Sequence, residues 1–240
     1  MRRIFVLALS VLGTGLLCAP RLLAAATTVT VGGKANLFAA GRPAAFDGVL
    51  PLAVRFPAGL GKVVTFTSVT GTVIASATWT SVGPDGNPWP ADISSYGGIA
   101  GIRHPGKAMF LAGVFLTDSE PADPAPQRLD FSSSDNFASL SPAVGQTFFV
   151  GDGLTGTGSG SRQQFHVPPA ATRLFLGFAD GYNFSGPPGN YSDNGGALTA
   201  VVEVSGGLPT AICWRTAVSS SQAAATGLVW GGDRLTLLAG

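Results

Sequence analysis

Of 240 residues only 11% are charged and 45% are hydrophobic, with 34 glycines and 17 prolines among them, which excludes a disordered chain and argues against a long-helical one. The formal net charge of +1 gives no basic surface of the kind that selects nucleic acid or anionic lipid.

Residues 1–26 read as a secretory signal. Arg2 and Arg3 form the basic start, residues 4–17 the apolar segment, and Ala24, Ala25 and Ala26 a small-residue cleavage site. The apolar segment, about 14 residues, is shorter than the ~20 that span a bilayer. The mature chain is therefore expected to begin near Thr27 in a secreted, periplasmic or cell-surface protein. A lipid anchor on Cys18 is the alternative, although Gly15-Leu16-Leu17 is a poor context for one. Cleavage removes three of the 14 basic residues and none of the 13 acidic ones, so the mature net charge is near −2. Only Cys213 survives, so no internal disulfide forms, and a core of this size needs none.

Along the mature chain, short apolar runs alternate with turn residues. Residues 49–56 and 62–68 read as strands; in the second, Val64 and Phe66 alternate with Thr65 and Thr67. Residues 73–80 are predicted to continue as a strand into Ser81-Val-Gly-Pro-Asp-Gly-Asn-Pro-Trp-Pro90, a long loop at one end of a sheet. Residues 109–116 form the next apolar run. Residues 117–146 are a Pro/Ser-rich insertion, irregular or with short helical turns, with Leu129, Phe131 and Phe137 as candidate anchors. Gly151-Asp-Gly-Leu-Thr-Gly156 has the spacing of a dinucleotide fingerprint, but no amphipathic helix follows to receive a pyrophosphate, so it reads as a glycine-rich hairpin.

Residues 147–150, 164–167, 172–178 and 198–204 complete the strand set, and Leu198, Ala200, Val202 and Val204 share one face of the last. Many short strands without a long amphipathic helix predict an all-β fold. The expected form is an antiparallel jelly-roll β-sandwich over residues 27–205, with the insertion at 117–146 and a poorly packed tail at 206–240.

Catalytic chemistry has little support in the pattern. His104 and His166 stand alone, and there is no Gly-x-Ser-x-Gly elbow. Carboxylate pairs drawn from Asp85, Asp92, Asp180 and Asp193 have nothing to favour one over another. The chain therefore reads as a binding protein and not an enzyme.

The most informative segment is 179–197, Ala-Asp-Gly-Tyr-Asn-Phe-Ser-Gly-Pro-Pro-Gly-Asn-Tyr-Ser-Asp-Asn-Gly-Gly-Ala. Asp180, Asp193, Asn194 and loop carbonyls form an oxygen-only donor set of the kind calcium takes. A plain Asp/Asn/Gly turn without an ion uses the same residue types. Trp89 and Tyr96, near Asp92, suit stacking on a sugar as well as they suit plugging the loop into the sandwich end.

Trp79-Thr-Ser-Val-Gly-Pro84, Gly98-Ile-Ala-Gly-Ile102, Phe148-Phe-Val-Gly151, and Asp180 followed by Gly189-Asn-Tyr-Ser-Asp-Asn-Gly-Gly196 occur in this order. Together they resemble the PA-IL-like galactose-binding calcium lectins of bacteria. The resemblance implies a jelly-roll sandwich with one Ca²⁺ at the loop end, on which two vicinal sugar hydroxyls sit. By position it makes Asp180 a bidentate ligand, Asn190 a carbonyl donor, Asp193 a side-chain ligand, Asn194 a ligand of both ion and sugar, and Val82 the carbonyl that completes the shell. Asp193 stands where the family has Asn, and Val82 where it has Tyr. Eight extra residues separate Asp180 from Gly189, and no His stands near residues 89–92 to make the family's sugar contact. Trp89 and Tyr182 are the candidate apolar faces for the sugar. The implied partner is a galactose-like glycan or exopolysaccharide, bound weakly per site and strengthened by several copies in an oligomer or on a surface. The alternative is an extracellular structural or matrix protein that keeps the sandwich without binding sugar.

Overall fold

The computed structural model describes residues 25–207 and two later strands, Thr226–Gly231 and Arg234–Ala239. Nearly all of the signal segment expected at residues 1–26 lies outside the described residues. The strands are β1 (Ala25–Gly32), β2 (Ala53–Arg55), β3 (Lys62–Ile74), β4 (Ala91–Ile93), β5 (Ile102–His104) and β6 (Ala112–Leu116). Next come β7 (Leu129–Asp130), β8 (Ser139–Leu140), β9 (Thr147–Phe149), β10 (Leu154–Gly156), β11 (Ser159–Arg162) and β12 (Gln164–His166). The last are β13 (Arg173–Gly177), β14 (Ser185–Gly186), β15 (Gly195–Gly206), β16 (Thr226–Gly231) and β17 (Arg234–Ala239). Residues 25–207 fall within one compact unit, Leu23–Leu208.

The fold is an all-β sandwich. One principal sheet has the order β1-β15-β3-β12-β8 and the other β2-β13-β6-β9. Period-two patterning builds the first: Leu198, Ala200 and Val202 of β15 are fully buried beside Val64, Phe66 and Val73 of β3 and Val29 and Val31 of β1. The sheets meet where Phe148 of β9 packs on Phe165 of β12, ring centroids 5.1 Å apart.

The neighbouring Phe149 points the other way, into Phe110, His104 and Phe131 at 5.0, 5.7 and 6.1 Å. The second sheet is thus covered on both faces, and every residue of β6 and β13 is buried. This explains why residues 109–116 read as an unbroken apolar run and not as an alternating one. The aromatic cluster on the outer face draws on a third sheet of order β14-β4-β5-β7.

The structure departs from the sequence reading in two places. The pairs β12 with β8, β14 with β4, and β5 with β7 are parallel, where a wholly antiparallel arrangement was expected. β3 stops at Ile74 instead of running through residues 73–80. There the chain folds back on itself: the Val73 N–H donates to the Val82 carbonyl (2.9 Å) and the Val82 N–H to the Val73 carbonyl (2.7 Å). Residues 117–146, expected to be irregular or to carry short helical turns, are irregular apart from the short strands β7 and β8. Within residues 206–240, expected to be a poorly packed tail, the described strands β16 and β17 pair as an antiparallel hairpin. The glycine-rich stretch forms the expected hairpin, β10 with β11.

Two arginines hold the insertion. The Arg173 Nε donates to the Thr117 carbonyl (2.8 Å) and its Nη2 to the Ser119 carbonyl (2.9 Å). Arg42 bonds the Glu120 carboxylate (2.9 Å) and the Pro121 carbonyl (3.2 Å). Because Arg173 is itself buried, Arg173→Leu strands these acceptors. It is expected to cost about 2 kcal/mol and to open residues 117–126 to limited proteolysis under conditions where the wild type resists. Equal cleavage rates would refute this role.

Among the described residues no helix is long and apolar enough to cross a membrane.

Candidate functional site

Segment 179–197 folds against the start of residues 75–80 and encloses a recess of about 180 Å³. Its lining includes Ser76, Trp79, Asp180, Tyr182, Asn190 and Asp193. At roughly 30 Å³ per water, that holds about six waters, enough for a hydrated ion or for an ion and part of a sugar ring.

Asp180 leaves β13 at the floor of the recess and is fixed from several sides. Its N–H donates to the Tyr191 hydroxyl (3.1 Å), which donates to the Phe178 carbonyl (3.0 Å). Its carbonyl accepts from the Gly189 N–H (3.0 Å). Its Oδ1 accepts from the Gly181 N–H (2.7 Å) and its Oδ2 from the Asn194 Nδ2 (2.8 Å). Tyr191, wholly buried, is thus the pin between the two ends of the loop.

Behind Tyr191, Asp47 braces the same turn. Its Oδ2 accepts from the Tyr191 N–H (3.0 Å) and its Oδ1 from the Gly48 N–H (2.7 Å). Gly48 has to be glycine: its φ is +69°, and a Cβ there would stand 2.4 Å from the Lys34 carbonyl oxygen and 2.6 Å from the Tyr191 Cβ.

The electrostatics of this floor are unbalanced. Asp180 is 2% exposed, and among the described residues no cation pairs with it. Burial is the main force pushing its carboxyl up to about 7; the Asn194 and Gly181 hydrogen bonds oppose this, and the charges of Asp193 and Asp47 add to it. Asn194, 3% exposed, gives its Nδ2 to Asp180 and also to the Gly33 carbonyl (3.1 Å). Both partners are acceptors, which fixes the amide orientation, and the Asn194 Oδ1 is left buried with no donor among the described residues.

Backbone strain gathers at the same place. Among the described residues four non-glycine positions have positive φ: Met109, Asn183, Phe184 and Asn190. Asn183, Phe184 and Asn190 line the recess, and the Met109 sulfur lies 4.0 Å from the Asn194 Nδ2. Asn tolerates this left-handed region, but a bulky residue such as Phe184 (φ +55°) occupies it at a cost that the surrounding structure must bear. The buried Phe184 ring stands edge-on to Trp79, centroids 5.4 Å apart.

The structure therefore brings Asp180, Asn190 and Asp193 together in the recess, with Tyr182 on the rim, 75% exposed, while Asn194 does not line the recess and is joined to it by its hydrogen bond to Asp180. Val82 does not join them. Its carbonyl is taken by the Val73 N–H, and the nearby chain that does line the recess is Ala75, Ser76 and Trp79. Trp89 does not line it either but packs on Trp79, centroids 5.5 Å apart. The extra residues between Asp180 and Gly189 divide: 182–184 form a wall, while β14 is drawn onto β4, with the Ser94 N–H donating to the Gly186 carbonyl (2.8 Å).

Sequence reasoning missed Ser76, Trp79 and Asn183 as lining residues and Asp47 and Tyr191 as braces. Spacing carries no signal for Asp47, which lies more than 130 residues before the loop it holds.

The other carboxylates are engaged elsewhere. Asp92 pairs with Arg128 (2.5 Å) and Arg103 (3.7 Å), and Asp85 lies 3.9 Å from the Lys107 Nζ. His104 sits in the outer aromatic cluster against Asp135 (3.2 Å).

The donors around the recess suit a hard cation: two carboxylates, two Asn side chains and no Cys or His. Among the described residues no three His, Cys, Asp or Glu side chains converge at metal-holding distance, so a shell here would be completed by amide, carbonyl and water oxygens. Comparison of the chain with protein-family models, with curated proteins and with solved structures finds no match.

Proposed function

We propose that this is an exported, calcium-dependent carbohydrate-binding protein that works as PA-IL-like lectins do, taking a galactose-like neutral hexose by two adjacent hydroxyls. The observation that carries the reading is the Asp180–Asn194 pair, which among the described residues is a buried carboxylate with no cationic partner beside a buried amide oxygen with no donor. Both deficits are of the kind a bound cation removes.

In this reading Asp180, Asp193, Asn190 and Asn194 are the residues that would hold Ca²⁺, and the ion supplies positive charge and coordination positions that sugar hydroxyls can fill. Tyr191 and Asp47 keep the oxygens in place before the ligand arrives, so little ordering is left to be done on binding. Trp79 offers an apolar face to the ring held in the recess, and Tyr182 a second at the rim.

Calcium is expected to raise the melting temperature of metal-stripped protein, since a ligand that binds only the folded state stabilises it. A glycan array run with calcium and with a chelator should show hexose signals only with calcium. Asp193→Ala is expected to abolish both responses. Sugar binding that survives Asp193→Ala or chelation would defeat the metal-bridged reading.

A further inference from the structure

The recess holds one sugar ring at most, yet the aromatic surface continues past it. Trp79 lines the recess, whereas Trp89 lies outside it in contact with Trp79, the two rings tilted at 55° with centroids 5.5 Å apart. That step is close to the length of one hexose unit in an extended chain.

Trp89 is 54% exposed, so one face of its ring is open to solvent beside the recess. It is also held in place. Its backbone N–H donates to the Asn87 Oδ1 (3.2 Å), and the buried Asn87 is itself bonded both ways to Ala108, backbone N–H to carbonyl at 2.9 and 3.2 Å. On the other side Trp79 is backed by the edge-on, buried Phe184. A rigid aromatic ring presented to solvent at low entropic cost is what stacking on the C–H face of a sugar requires.

We infer that the site reads two consecutive sugar rings, one in the recess against Trp79 and the next on the exposed face of Trp89, so that its ligand is an oligosaccharide or polysaccharide chain and not a lone hexose. This rests on the sugar-binding reading above. It gives Trp89 a different role from the recess residues: it sets chain length and does not take part in holding the ion.

The test is calorimetry at saturating calcium with galactose, glucose and mannose, each beside its β-1,4-linked disaccharide. The disaccharide of the sugar that binds is expected to bind roughly tenfold tighter than the monosaccharide, about 1.4 kcal/mol and more than a second copy of the ring supplies by number alone. Trp89→Ala should bring the disaccharide down to the monosaccharide's affinity, and Trp89→Tyr should keep most of the preference. The calcium-induced rise in melting temperature, retained in both variants, shows that they fold. Equal affinities for monosaccharide and disaccharide in the wild type, or a preference that survives Trp89→Ala, would overturn the two-ring site while leaving calcium-dependent sugar binding intact. Absence of binding by every sugar, with the calcium response present, would overturn the sugar reading and this inference with it.

Discussion

Asp180→Asn is expected to leave the metal-stripped protein at pH 8 at least as stable as the wild type while abolishing its response to calcium. An ionised Asp180 is buried with no cationic partner among the described residues, and its carboxyl sits at about 7 instead of 3.8. Keeping it ionised at pH 8 therefore costs about 4 kcal/mol. A carboxamide of the same shape removes that cost. It loses one acceptor, facing either the Gly181 N–H or the Asn194 amide. If Asn194 turns over, its Oδ1, at present without a donor among the described residues, can accept from the new amide, and the Gly33 carbonyl then loses its partner. The balance favours the variant by roughly 2 kcal/mol, or about 5 °C in a domain of this size. With calcium the order reverses, because only the wild type has the charge that holds the ion. Differential scanning calorimetry of both proteins, stripped and calcium-loaded, checks this. A variant several degrees less stable than stripped wild type, or one that still gains stability from calcium, would show that Asp180 is an ordinary buried hydrogen-bonding residue.

A strand was legible where a long alternating run has one wet face, as in β15, although β1, with Val29 and Val31 buried beside exposed threonines, was not read as a strand. Residues 198–204 alternate because only one face is buried, and their inward set is the one the pattern assigns. The same rule loses its signal in β6 and β13, buried on both faces, so the third layer over Phe149 had no sequence counterpart. Strands of two or three residues such as β4, β5 and β14 are too short to carry a period, and the parallel pairs they form are set by distant partners.

In the site, Asp180, Asn190, Asp193 and Asn194 could be found because they share one loop whose composition is unusual. Val82, expected through its place in a resemblance, does not line the recess, and its carbonyl accepts from the Val73 N–H where the chain turns back after β3. That turn also moved Trp79 into the recess and left Trp89 outside it. Asp47 could not be found, since a brace that reaches Tyr191 by tertiary contact leaves no trace in local pattern.

The stability of the metal-stripped protein is expected to fall as pH rises from about 4 to about 7, and saturating calcium is expected to remove the fall. The sign follows from proton counting. With a folded value of about 7 and an unfolded value near 3.8, Asp180 binds more protons in the folded state than in the unfolded state between those limits. The destabilisation is absent below pH 4, where both states are protonated, grows by up to about 1.4 kcal/mol per pH unit, and is complete above pH 7. Burial depresses His104 below its usual 6.5, so its contribution has the opposite sign and is lost as pH drops through the unfolded value. The difference between wild type and Asp180→Asn, measured by denaturant titration on stripped protein from pH 5 to 8, cancels His104 and isolates Asp180. That difference should widen with pH when metal is absent. If the two proteins run parallel across the range, the carboxyl of Asp180 titrates as an ordinary surface acid and the recess has no charge deficit for a cation to fill.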